Sequence, residues 1–89
     1  MDLKDLRKQI NEIDDEILSL YLKRMNISKQ IGQYKKEHNL PIYDQKREEE
    51  LINNLLNKID NNELKENYKK IIQLILIESK NQQKKWLNL

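Results

Sequence analysis

A small set of polar side chains occupies helical positions that the surrounding pattern reserves for apolar residues. The set combines cations with one carboxylate, one amide and one hydroxyl. It lacks a nucleophile paired with a base, a metal-ligand cluster and a glycine-rich phosphate loop. Such a set can bind a small polyanion and stabilise charge without covalent chemistry, a metal or a cofactor. Its members are Arg24, Lys35, Arg47, Glu48, Ser79 and Gln83.

Arg24 interrupts the longest apolar stripe of the chain. It lies four residues after Leu20 and three before Ile27, where helical spacing calls for an apolar side chain. Arg24 and Lys35 are separated by nearly whole turns, so they share one helix face about 16 Å apart and can bracket one small ligand. The stripe consists of Leu3, Leu6, Ile10, Ile13, Ile17, Leu20, Ile27, Ile31 and Tyr34.

Two charged residues follow the expected start of a second helix. Asp44 is a good N-cap for a helix that runs to about Ile59. Capping and the helix dipole account for Glu48 in the first turn but not for Arg47, because a positive charge is disfavoured there. A bound anion nearby would remove that objection.

A third helix is expected from about Glu63 to Trp86, after a polar turn at 60–62. Ser79 and Gln83, one turn apart, share its inward-facing line with aliphatic residues. A buried hydroxyl and amide need partners, so this face either holds an internal polar network or meets a polar ligand. The line consists of Ile72, Leu76, Ser79, Gln83 and either Trp86 or Leu87.

The elements that must carry these residues are helices. The chain of 89 residues contains only one Gly and one Pro, which leaves little room for hairpin turns. We expect a single all-α domain over 1–89 with a long first helix, from an N-cap at Asp2 to Glu37 or His38, and two shorter ones. A first helix of roughly 50 Å cannot bury its stripe against a short hairpin alone, so a partner chain is the economical solution. Gly32 within it indicates either a close approach of a helix or ligand, or a tolerated exposed position.

Composition excludes several classes of protein. Cysteine is absent, which rules out disulfides and thiolate chemistry and, with no hydrophobic signal segment, favours a cytoplasmic protein. A net charge of +2 is too small for a nucleic-acid footprint, and no apolar run is long enough to span a membrane. His38 lies beside a turn without a second His or Cys, so we interpret it as a solvated loop residue.

Four groups of residues, taken in chain order, resemble the motifs of one enzyme family. The groups are Leu6-Arg7-x-x-Ile10-x-x-Ile13-Asp14, Arg24 with Ile27-Ser28-x-x-Ile31-Gly32-x-x-Lys35, Pro41-Ile42-x-Asp44-x-x-Arg47-Glu48, and Ile77-Glu78-Ser79-x-x-x-Gln83. The ordered series resembles the AroQ-class, all-helical chorismate mutases over nearly the whole chain. The resemblance implies an intertwined three-helix homodimer with two active sites. It also implies rearrangement of chorismate to prephenate on the route to phenylalanine and tyrosine.

The resemblance also implies a role for each polar residue. Arg24 and Arg7 of the partner subunit would bind the two substrate carboxylates, with Arg47 nearby. Lys35 and Gln83 would donate to the ether oxygen, where negative charge grows as its C–O bond breaks. The remaining contacts would come from Glu48 and the Asp44 backbone to the ring hydroxyl, and from Ser79 to a carboxylate.

The sequence is also compatible with two other functions. An isochorismate-pyruvate lyase of the same fold also uses a cation-rich site, although Glu48 directly after Arg47 is typical of the mutases. A helical dimerisation module without chemistry accounts for the heptad-like spacing. It leaves Arg24, Ser79 and Gln83 on apolar lines unexplained.

Overall fold

The structure is a computed structural model that describes residues 2–88, and this part of the chain forms three α-helices without a strand. The helices are α1 (Leu3–Glu37), α2 (Gln45–Leu56) and α3 (Asn62–Trp86). The first helix has 35 residues, against 12 and 25 for the other two. The predicted all-α fold, with one long and two shorter helices, is confirmed.

A side-chain cap begins each helix. In each case the cap accepts the backbone N–H of the residue three positions further on, at 2.9 to 3.1 Å. These bonds satisfy donors that have no partner within the helix, which fixes where each helix starts. The caps are Asp2, Asp44 and Asn61, and the first two were predicted individually.

The second helix ends earlier than its apolar pattern predicts. We expected α2 to reach about Ile59, but it ends at Leu56. The N–H groups of Lys58 and Ile59 bond to carbonyls three residues back, at 3.1 Å each, and this tighter winding ends the α-helix. The Ile59 side chain still lies half-buried, so the hydrophobic pattern continued past the helix end.

The first helix ends in a left-handed turn that leads into the α1–α2 connection. Asn39 has φ 56°, a conformation that asparagine tolerates better than most residues. The N–H of Leu40 donates to the Lys35 carbonyl at 2.8 Å, and that of Asn39 to the Lys36 carbonyl at 3.4 Å. This pair of bonds is a Schellman motif. It stops α1 before Pro41, as predicted.

Helix α3 packs against both α1 and α2 and carries most of the core. The inward-facing line predicted on α3 is confirmed, and it continues with Leu87, while Trp86 is 40% exposed. The buried apolar residues in the described part of the chain are Met25, Ile72, Leu76 and Leu87. The buried polar residues there are Ser28, Ser79 and Gln83.

Gly32 marks the closest approach of α1 to α3. A Cβ atom at this position would lie 3.0 Å from Cγ of Gln83 and 3.0 Å from Cδ1 of Leu87. The glycine is buried. Of the two explanations left open for Gly32, the structure therefore supports a close helix approach.

The N-terminal half of α1 extends away from the other two helices. Residues 3–23 are all exposed, and the longest dimension of the molecule is 54 Å, which is about the length of α1 itself. The apolar stripe is exposed along its whole length, for example 56% at Ile10 and 63% at Leu20. Among residues 2–88, no helix is long and apolar enough to cross a membrane.

Substitution of Gly32 by alanine tests the close approach. Alanine gains about 1 kcal/mol of helix propensity over glycine, whereas overpacking a tight contact costs about 1 to 3 kcal/mol. We expect Gly32→Ala to lower the free energy of unfolding by about 1 kcal/mol, measured by urea denaturation at fixed protein concentration. Gln33→Ala, at the exposed neighbouring position, is the control. A more stable Gly32→Ala protein would contradict the contact.

Candidate functional site

One cavity of about 490 Å³ lies between the three helices and the α1–α2 connection. Its volume is in the range of small-molecule sites, which are roughly 300 to 1,000 Å³. Every predicted site residue except Arg7 lines it. The lining consists of Arg24, Ile27, Ser28, Ile31, Lys35, Ile42, Asp44, Arg47, Glu48, Leu51, Leu76, Ser79, Lys80 and Gln83.

Arg24 and Ser79 form a hydrogen-bonded pair across the α1–α3 contact. Nη1 of the half-buried Arg24 donates to Oγ of Ser79 at 2.8 Å. The Ser79 hydroxyl in turn lies 2.8 Å from the Ile75 carbonyl, to which it donates. Because a hydroxyl has one hydrogen, this bond turns an oxygen lone pair towards Arg24. The guanidinium is thereby held at the cavity with most of its N–H groups available to an anion.

Lys35 is fixed at the cavity by the loop that follows its own helix. Its ammonium donates to the Ile42 carbonyl at 3.0 Å, while its backbone carbonyl accepts from Leu40. The ammonium has three N–H groups and uses one of them for Ile42. Lys35 therefore presents a half-buried cation whose position depends on the conformation of the connection.

The start of α2 brings a carboxylate and a guanidinium to the cavity. Oδ1 of Asp44 accepts the backbone N–H of Arg47 at 3.1 Å, so the Asp44 side chain acts as the helix cap. Arg47 itself is exposed and lies in the first turn, where its charge opposes the helix dipole. A negatively charged ligand in the cavity would offset that repulsion.

Glu48 of α2 and Lys80 of α3 both line the cavity and form an ion pair with each other. The Lys80 ammonium lies 3.0 Å from both carboxylate oxygens. The Glu48 side chain is 20% exposed and the Lys80 side chain is 24% exposed. Lys80 was not among the residues that the sequence analysis singled out. Its position four residues after Leu76 and three before Gln83 is the signal that could have found it.

Gln83 is buried and bonded to α1. Its Nε2 lies 2.7 Å from the Ser28 carbonyl and 2.9 Å from the Ser28 hydroxyl. A carbonyl can only accept, so the amide nitrogen must be the atom that faces Ser28. Of the alternatives for this face of α3, an internal polar network is therefore present, and the same residues also line the cavity. Ser28, one turn after Arg24 and one before Gly32, is a site residue that the sequence analysis quoted only within a motif.

The cavity is positively charged. Four cationic side chains and two carboxylates line it, which gives a formal net charge of +2. The cations are Arg24, Lys35, Arg47 and Lys80, and the carboxylates are Asp44 and Glu48. In the described part of the chain, no group of three or more His, Cys, Asp or Glu side chains could hold a metal ion. The arrangement suits a small organic anion that carries more than one negative charge.

Comparison with known proteins assigns the family. The sequence pattern of the family described as chorismate mutase type II matches residues 6–84. The chorismate mutase of Methanocaldococcus jannaschii is 31% identical over 86 residues, which are 96% of this chain and 87% of that protein. The chain belongs to the chorismate mutase type II family.

Two further relatives of the chorismate mutase type II family agree with this assignment. A solved chorismate mutase (form II) from Thermus thermophilus has a TM-score of 0.86 at 30% identity and covers 92% of this chain and 93% of its own. A bifunctional chorismate mutase/prephenate dehydratase of Buchnera aphidicola is 41% identical over 88 residues, 98% of this chain. The chain spans 23% or less of the length of the bifunctional relatives it matches.

Arg7 is the predicted site residue that the single chain does not bring to the cavity. It lies on the exposed part of α1, seventeen residues or about 25 Å along the helix from Arg24. It borders a separate depression at the N-terminus of α1. His38 also lies outside the cavity lining; it is exposed, as predicted, with its ring stacked on Tyr34 at 3.9 Å.

Proposed function

We propose that this chain catalyses the rearrangement of chorismate to prephenate, a step in phenylalanine and tyrosine biosynthesis. The observation that carries the proposal is the cavity of about 490 Å³ with a net charge of +2, in a chain of the chorismate mutase type II family. Chorismate is a small dianion, so its charge complements that of the cavity. The three helices act as one catalytic domain.

The reaction is a unimolecular pericyclic shift, which limits what the protein has to supply. The enolpyruvyl arm must be held over the ring in a reactive chair, and negative charge on the ether oxygen must be stabilised as the C–O bond breaks. Positioning and fixed hydrogen-bond donors provide both effects without a covalent intermediate. A polar cavity whose side chains are already hydrogen-bonded to the scaffold meets this requirement.

The substrate carboxylates are bound by guanidinium groups. Arg24, held by Ser79, has a planar fork of donors that matches a carboxylate. Arg47 of α2 also lines the cavity and adds positive charge there. Ser79 assists at a carboxylate through its contact with Arg24. Binding of the dianion also removes the unfavourable interaction of Arg47 with the dipole of α2.

Lys35 is the principal donor to the ether oxygen. Its bond to Ile42 leaves two N–H groups of a compact cation for the substrate. Gln83 is the second donor in this scheme. Since its Nε2 is bonded to Ser28, it reaches the ether oxygen by exchanging one of those two bonds for one to the substrate.

The ring hydroxyl is recognised from the start of α2. The Glu48 carboxylate accepts a hydrogen bond from the hydroxyl, and the Asp44 backbone provides a further contact. Both residues line the cavity, Asp44 as the N-cap of α2 and Glu48 in its first turn. These contacts distinguish chorismate from analogues that lack the hydroxyl.

Two copies of the chain are required for a complete site. The exposed stripe on α1 runs from Leu3 to Tyr34 with every member at least 47% exposed. Long continuous apolar surfaces of this kind are typical of interfaces. An antiparallel α1 from a second copy would cover it and would carry Arg7 to the other chain's cavity. The exposed apolar side chains of α1 include Leu3, Leu6, Ile10, Ile13, Ile17, Leu20, Ile27, Ile31 and Tyr34.

Replacement of Lys35 tests its role at the ether oxygen. We expect Lys35→Ala to lower kcat/KM by roughly 10²-fold or more, the scale of removing one oxyanion donor. The assay follows the loss of chorismate with purified protein, and isochorismate is tested in parallel. Lys58→Ala, which removes an exposed cation outside the cavity lining, is the control. Near-normal turnover by Lys35→Ala would refute the role assigned to Lys35. Pyruvate release from isochorismate without conversion of chorismate would refute the proposed function.

Complementation between two inactive variants tests the shared site. Arg7→Ala and Lys35→Ala are each expected to be nearly inactive alone. The two variants are unfolded together and refolded at equal amounts, so that random pairing makes about half of the dimers mixed. Each mixed dimer has one intact site of two. About a quarter of all sites should therefore regain activity. Light scattering gives the assembly state of each sample. If the mixture stays as inactive as its components, Arg7 does not act across an interface.

A further inference from the structure

The ion pair between Glu48 of α2 and Lys80 of α3 lies on the cavity wall, and the mechanism above uses Lys80 only as one of the charges of the cavity. The ammonium lies 3.0 Å from each oxygen of the carboxylate. The exposed fraction is 24% for Lys80 and 20% for Glu48. Ion pairs that water still reaches contribute little to stability. Stability therefore does not explain why this pair borders the cavity.

The Lys80 ammonium is held by contacts from two elements other than its own helix. The carboxylate of Glu48 lies on one side, and the ring centroid of Tyr43 lies 4.3 Å away. A cation over an aromatic face is attracted by the negative charge of the ring surface. A lysine side chain is otherwise flexible, so these two contacts restrict it to one position. Lys80 thus connects α3, the α1–α2 connection and the start of α2.

This arrangement fixes the direction of the Glu48 carboxylate. Glutamate in the first turn of a helix can rotate about its side-chain bonds and sample several directions. Because Lys80 contacts both oxygens, one orientation is favoured. Each carboxylate oxygen can accept two hydrogen bonds, and the contact with Lys80 occupies one position on each. The remaining positions are available to a hydroxyl group in the cavity.

We propose that Lys80 is a positioning residue that aligns the Glu48 carboxylate as the acceptor for the ring hydroxyl of the substrate. This inference rests on the proposed function, in which Glu48 meets that hydroxyl. The Lys80 ammonium is engaged by Glu48 and Tyr43, and it acts on the ring hydroxyl through Glu48. Apart from the attraction of its charge for any dianion in the cavity, its contribution is confined to substrates that carry the hydroxyl. Lys80 thereby determines selectivity for the hydroxylated ring.

Steady-state kinetics with two substrates test this role. The substrates are chorismate and the chorismate analogue that lacks the ring hydroxyl. We expect Lys80→Met to lower kcat/KM for chorismate about tenfold, on the scale of a misaligned contact. The loss for the analogue should be much smaller, because there only the attraction of the Lys80 charge for the dianion is removed. Lys80→Arg, which keeps the charge, should restore most of the loss. Lys84→Met, an exposed position one turn along α3 and outside the cavity lining, is the matched control and should match wild type.

A double-mutant cycle with Glu48→Gln shows whether Lys80 acts through Glu48. We expect the double variant to lose no more activity on chorismate than Glu48→Gln alone, because the two residues act as one unit. Circular dichroism melting of every variant monitors folding. If Lys80→Met does not fold, Lys80→Gln takes its place as the variant without the charge. Lys80→Arg remains the variant that keeps it.

The possible failures are distinguishable. A wild-type protein that converts neither substrate overturns the proposed function and the role of Lys80 with it. Active wild type with equal losses on both substrates, or with no loss in Lys80→Met, overturns the role of Lys80 alone. Additive losses in the double variant also overturn it, since Lys80 would then act independently of Glu48.

Discussion

The close contact of α1 with α3 at Gly32 determines where the polar side chains of the cavity lie. Without a Cβ at this position, Gln83 and Leu87 approach the backbone of α1, and the Gln83 amide reaches Ser28. The same approach lets Arg24 meet Ser79. Three of the seven buried side chains in residues 2–88 are polar, so the centre of this contact is a hydrogen-bonded network as well as a hydrophobic core.

The charges of the cavity make the structure incomplete without a ligand. Four cations repel one another across a small space, and only two carboxylates offset them. A dianion relieves this repulsion, and three of the cations are held beforehand by bonds to the scaffold, namely Arg24, Lys35 and Lys80. Such preorganised charge is an effective way to stabilise a transition state, because little reorganisation is needed during the reaction. The stripe on α1 is likewise exposed in the single chain, and the second copy proposed above would cover it.

Much of the fold could be predicted from periodicity and capping. The 3.6-residue pattern placed all three helices, Asp2 and Asp44 were found as caps, and Pro41 limited the end of α1. The end of α2 was predicted too late, because Ile59 continues the apolar pattern although the backbone has already tightened into a turn. Most of the polar residues that line the cavity were also predicted, because a cation or an amide at a position where helical spacing calls for an apolar residue can be recognised in the sequence.

The sequence by itself determined which residues share a helix face, because side-chain direction along a helix follows from residue spacing. Only the tertiary structure decided which faces meet. The partnership of Lys80 with Glu48, 32 positions apart, and that of Gln83 with Ser28, 55 positions apart, depend on helix crossings that local spacing does not encode. The close approach at Gly32 follows the same rule. Whether a glycine is buried or merely tolerated depends on the helix that packs against it.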